Sequence, residues 1–154
     1  MASVKVSVTI AAPVERVFEV MTDLENAPNR VSGIKSLELL TPKPVGSGTR
    51  FRETRVMFGK EATEEMEITR FDPPRSYTVE AESHGTHYTS VLTFTPRGNS
   101  PQPMTDVDMT FEGRPLTTMS KVMGAVMMPF FRKACEKAMA QDLHDLKKAI
   151  ETVG

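Results

Sequence analysis

The sequence predicts an α+β fold: an antiparallel sheet of about seven strands, two short helices after the first strand, and one long C-terminal helix. Three observations predict it. Apolar residues alternate at period two through the front and middle of the chain. Two hairpin registers each separate a mainly apolar face, carrying an ion pair in the first of them, from a charged one. From Thr117 onward the apolar period changes to 3.6.

The elements follow in order. Val4, Val6, Val8 and Ile10 alternate with Lys5, Ser7 and Thr9, so the first strand buries one face. Pro13 suits the first turn of a helix, and Val14, Val17, Phe18 and Met21 then form one apolar stripe. DLENAPNRVSG reads as a short second helix or turn, broken around Pro28 and Gly33. A strand runs from Ile34 to Leu40, and four more strand-like segments come after it. PRGNSPQP reads as a loop. Val107, Met109 and Phe111 alternate with Asp106, Asp108, Thr110 and Glu112 in the last strand. The final helix runs from Thr117 to about Glu151. Met119, Val122, Met123, Val126, Met127, Phe130, Ala134, Ala138, Leu146 and Ile150 keep roughly to one side of it. Pro129 lacks the N–H that would bond Ala125 and should kink or split it.

Two hairpins fix which residues share a face. A two-residue turn at Gly59-Lys60 sets Phe51 opposite Ile68, Glu53 opposite Met66 and Arg55 opposite Glu64. Arg52, Thr54, Glu65 and Glu67 then fall on the other side. A turn at His84-Gly85 sets Ala81 opposite Tyr88, Val79 opposite Ser90 and Tyr77 opposite Leu92, while Glu82 and His87 face the other way. Gly85 supplies the positive φ that a type I′ turn requires.

Composition narrows the function classes. The 154 residues fit one domain, 1–154, large enough to bury a core without staples. A net charge of −1 provides no basic footprint for phosphates, so nucleic-acid binding is not expected. No stretch reaches the ~20 apolar residues of a membrane span. The single cysteine, Cys135, and the early Lys5, Pro13 and Glu15 point to a cytoplasmic protein. Oligomeric state is left open.

Few residues suggest chemistry. His84 and His87 fall on a turn and an outer face, and His144 lies far away on the last helix, so no metal site is expected. The methionines of that helix read as core, as an adaptable cavity wall, or as soft copper ligands. Glu53 shares a face with Phe51 and Arg55. It is either a polar anchor or general acid/base for a ligand, or a carboxylate paired with Arg55 or a tyrosine hydroxyl. Tyr77, Tyr88 and Ser90 could offer hydroxyls to a ligand or satisfy one another. Gly46-Ser47-Gly48 is too short for a phosphate loop. Cys135 reads as an ordinary small helix residue, and no cofactor is expected.

VSVTIAAPVERVFEVMTDLENAP, VGSGTRFRET, ITRFDPPRSY and the terminal helix together resemble the START-like helix-grip superfamily, in particular its bacterial polyketide cyclase/dehydrase and lipid-transport branch. Where relatives often carry Trp after the position of Pro28, this chain has Asn29 and Arg30. The resemblance implies a curved sheet wrapped around the long helix with an apolar cavity between them. It implies a hydrophobic ligand (lipid, polyketide or aromatic) carried or sensed there, or else a cyclase or dehydratase reaction. It carries over no shared catalytic set; Glu53, Arg55 and Tyr88 are the candidates. The expected lining is Phe51, Glu53, Met66, Ile68, Tyr77, Val79, Tyr88, Ser90, Leu92, Met109 and Phe111 from the sheet. Met123, Met127 and Phe130 would face them from the helix.

Overall fold

The computed structural model describes residues 2–57, 59–98 and 101–153; the side chains of 2, 57, 120, 123–131 and 153 lie outside that description. Strand β1 (Ala2–Ile10) leads into α1 (Val14–Met21), a single 3-10 turn (Leu24–Asn26) and the short α2 (Ala27–Arg30). Six strands follow: β2 (Ile34–Leu39), β3 (Arg50–Met57), β4 (Lys60–Asp72), β5 (Ser76–Ser83), β6 (Thr86–Pro96) and β7 (Thr105–Pro115). Helix α3 (Thr118–Val153) ends the chain. The strands form one antiparallel sheet in the order β1-β7-β6-β5-β4-β3-β2. This is the helix-grip architecture.

The apolar stripe of α1 packs inward, with Val17, Phe18 and Met21 buried and Val14 against them. Phe18 sits among Phe71, Tyr77 and Phe94 at ring-centroid distances of 5.3, 5.9 and 5.2 Å. Ile10, Leu92, Val107, Leu143 and Ile150 complete this part of the core.

Helix α3 is one 36-residue element rather than the split pair Pro129 allowed. Its second half lies along β1 and β7. Cys135 and Met139 pack on Val4, Val6, Met109 and Phe111. Polar ties hold its flanks: Lys147 Nζ donates to the Thr9 carbonyl at 2.6 Å, and the Ala11 N–H donates to Glu151 at 2.8 Å. Ser32 donates to Asp145 from both its N–H and its hydroxyl.

The apolar stripe of this helix differs from expectation in two ways. It runs through Cys135, Met139, Leu143 and Ile150, which are buried, while Ala134 and Ala138 flank it half-buried. Larger side chains take the inward positions because they remove more apolar surface from water. At the other end Met119 and Val122 are exposed, 78% and 59%, and are not part of the core. The expected stripe residues 123, 126, 127 and 130 lie outside the described side chains.

The hairpin between β5 and β6 has the expected register, Tyr77↔Leu92, Val79↔Ser90 and Ala81↔Tyr88. His84 (φ 51°) and Gly85 (φ 75°) make the turn, as a type I′ bend requires. The hairpin between β3 and β4 is shifted by two residues. Met57 pairs with Lys60, so Phe51 faces Met66, Glu53 faces Glu64 and Arg55 faces Ala62. Gly59, at φ 75°, thus takes the second turn position rather than the first. A shift of two keeps every side chain on its predicted face and changes only its partner.

Candidate functional site

The inner face of the sheet, the one turned toward α3, is divided lengthwise. Next to α1 and the last turns of α3 it is sealed: Phe51, Ile68, Tyr77 and Leu92 are buried at 6% exposure or less. Tyr77 donates to the Met21 carbonyl at 3.5 Å and stacks on Phe94, so its hydroxyl is committed to the core. Toward the hairpin turns the same face opens. Met66, Val79, Ala81, Tyr88, Ser90, Met109 and Phe111 point inward and all stay half-buried. Tyr88 stacks on Phe111, with centroids 5.5 Å apart and planes 16° apart. Gly113 lies directly opposite Tyr88; a Cβ there would rest 3.5 Å from the ring, at ordinary contact distance.

Between the sealed and open parts lies a charged bridge from sheet to helix. The Arg55 guanidinium donates to both carboxylate oxygens of Asp142, at 3.1 and 2.7 Å, and to Glu53 Oε1 at 3.3 Å. Glu53 is 7% exposed. Burial pushes the Glu53 carboxyl above its ordinary value, and the Arg55 charge offsets part of that push. Asp142 is raised for the same leading reason, burial, against the pull of Arg55. Of the readings open for Glu53, pairing with Arg55 is the one present, and the pair is shared with a third residue. Asp142 is not among the sequence-predicted site residues, although a signal exists. Met139, Asp142, Leu143 and Leu146 stand at i, i+3, i+4 and i+7, so an acid occupies a position of the inward stripe.

Glu64 completes the polar set. It is the direct cross-strand neighbour of Glu53 and accepts a hydrogen bond from Ser83 Oγ at 2.9 Å. Burial raises the Tyr88 phenol, with the Glu64 charge adding to the effect.

Other candidates lead away from this face. His87 points outward, bonded to Glu80 at 2.8 Å and Glu82 at 3.2 Å, and the Glu80 bond raises its pKa. No group of three or more His, Cys, Asp or Glu among the described residues could hold a metal ion. Cys135 is buried, and burial pushes its thiol up to about 11, the opposite of what a nucleophile needs. Two open clefts, of about 560 and 360 Å³, are lined mostly from the outer side. Glu25, Glu38 and Arg52 line the first, and Glu65, Glu67, Glu80, Glu82 and His87 the second. That side is laced with ion pairs such as Lys35–Glu61 and Arg50–Glu65. No helix among the described residues is long and apolar enough to cross a membrane.

Comparison with known proteins agrees with this architecture. Residues 1–151 match the model of the family described as polyketide cyclase / dehydrase and lipid transport. The chain belongs to that family. No curated protein matches it significantly. Among solved structures, a Thermus thermophilus protein is 22% identical with a TM-score of 0.77, and 99% of each chain is covered. A START superfamily protein from Mycobacterium smegmatis is 15% identical with a TM-score of 0.75, again over 99% of each chain. The di-domain ARO/CYC BexL of the BE-7585A biosynthetic pathway is 21% identical with a TM-score of 0.72. It covers 96% of this chain, which spans 49% of that protein. At these identities the likenesses show the fold.

Proposed function

We propose that this family member binds a hydrophobic small molecule between the open part of the inner sheet face and α3, as a carrier or sensor. One observation carries the reading. An ordinary core buries its inward-facing apolar side chains, yet here Met66, Tyr88, Met109 and Phe111 stay half-buried on the inner face. Apolar surface with a few orienting polar atoms is the usual composition of a small-molecule site. Glu53, Ser90 and the Tyr88 hydroxyl are the polar atoms at hand. Phe51, Ile68, Tyr77 and Leu92 form the packed floor beneath, and Met123, Met127 and Phe130 would close the space from the helix. The reading supposes a cytoplasmic protein of one domain, with no cofactor. Native mass spectrometry of protein from the source organism is expected to show a co-purifying small molecule, released by organic solvent. Protein that carries none, and that binds no apolar probe when titrated, would overturn the reading.

A specific observation favours a second reading, a cyclase or dehydratase. Glu53 is a buried carboxyl with a raised pKa beside a guanidinium, a combination suited to general acid/base work. Arg55 or Tyr88 would then steer a developing oxyanion. Glu53→Gln is expected to abolish turnover of a polyketide substrate while changing its Kd by about threefold or less. Unchanged turnover removes Glu53 from any mechanism.

A further inference from the structure

We propose that the inner-face site selects amphiphiles bearing a protonated amine and discriminates against carboxylate lipids. This rests on the ligand-binding reading above and names the class of ligand.

The inward-facing positions of β1, β2, β5, β6 and β7 carry no charged side chain. On the remaining strands Glu53, Arg55 and Glu64 face inward, and α3 adds Asp142. Lys60 shares their side of β4 but sits exposed at the hairpin turn. Three carboxyls therefore meet one guanidinium, and that guanidinium is already used. Both its terminal nitrogens donate to Asp142, and one of them also reaches Glu53.

Glu64 receives no such support. Among the described residues its hydrogen-bond partner is the Ser83 hydroxyl, and no Lys or Arg pairs with it. It stands directly across from Glu53, so the two Cβ atoms are roughly 4.5–5.5 Å apart. Glu53, only 7% exposed, uses one oxygen on Arg55 and has no described partner for the other. In the sequence, residues 118–131 contain one charged side chain, Lys121, and it is exposed.

The apolar half-buried surface lies beside this pair. Met66 follows Glu64 on the inner side of β4, and Tyr88 and Phe111 stand two and three strands further on. An ammonium offers three donors and a positive charge, matching Glu64, which pairs with no cation among the described residues, and Glu53, which shares Arg55 with Asp142. Its hydrocarbon body would lie on the Met66, Tyr88 and Phe111 surface. A carboxylate ligand would add a fourth acid where the one inward guanidinium is already engaged.

Matched probes separate the alternatives: dodecylamine, dodecanol and dodecanoic acid, titrated calorimetrically at neutral pH. The expected order is amine, then alcohol, then acid, with the amine at least about tenfold tighter than the acid. Glu64→Gln keeps an acceptor for Ser83 and removes the charge. It should reduce the amine's advantage over both other probes to about threefold or less. The wild-type ranking stands without any variant. Dodecanoic acid binding as tightly as the amine overturns the proposal, as does Glu64→Gln with the full preference retained. If dodecanol and the other two probes all fail to bind, the ligand-binding reading falls and this proposal with it.

Discussion

Arg55→Met is expected to lower the unfolding free energy by about 3 kcal/mol at neutral pH, because it leaves Glu53 and Asp142 buried without a cation. The figure sits at the low end for breaking a buried pair, since the Arg55 side chain is 23% exposed and water screens part of the charge. The cause can be separated from lost packing by its pH dependence. A carboxyl whose folded pKa is raised binds its proton more tightly when folded. Its contribution is greatest below the unfolded value, 4.5 for Glu53 and 3.8 for Asp142, and is lost as pH rises through the folded value. Without Arg55 both folded values move higher, so the deficit should be smaller at about pH 5 than at about pH 8. His87, raised from 6.5 by Glu80, loses stabilisation over part of the same window. It does so equally in both proteins and cancels in the difference. Asp106 and Glu151, depressed by Thr9 and Lys147, act with the opposite sign and only at lower pH. Urea unfolding of both proteins at the two pH values measures the deficit. A pH-independent deficit would assign it to packing. Asp142→Asn should cost less in the Arg55→Met background than in the wild type, since the charges act as one unit.

This bridge also marks how far the sequence can be read. That Glu53 and Arg55 face inward follows from the period of two, and an error of two residues in the turn leaves both faces intact. The same error hides the Glu53–Glu64 neighbourhood, because partners depend on where the turn closes, and Gly59 suits either position of a two-residue turn. His84-Gly85 has no such ambiguity, and its register is legible throughout. Asp142 is hidden for a different reason. A helix-to-sheet contact has no repeating signature, so an acid on an apolar stripe shows that a partner is needed and not which one it is. Met119 and Val122 fit the helical period as well as Leu146 does, yet they are exposed. Periodicity says which residues share a side of a helix, not how far along its length that side is covered.

The division of the inner face into floor and site makes the last expectation. Phe18→Ala is expected to cost about 3–5 kcal/mol, the range for removing a buried aromatic. Its ring meets Phe71, Tyr77 and Phe94, two of them edge-on, and all of these neighbours belong to or pack against the sealed core. Phe111→Ala should cost only about 1–2 kcal/mol, because a half-buried ring gives up less surface and leaves a space that solvent already reaches in part. The order should reverse for ligand binding. Phe111→Ala removes the stacking partner of Tyr88 and should weaken dodecanol about tenfold, whereas Phe18→Ala, assayed where it is still folded, should change it little. Urea unfolding and calorimetric titration of the two variants give the four numbers. If Phe111→Ala proves as destabilising as Phe18→Ala, the open part of the face is core packing against α3, and no space for a ligand exists there.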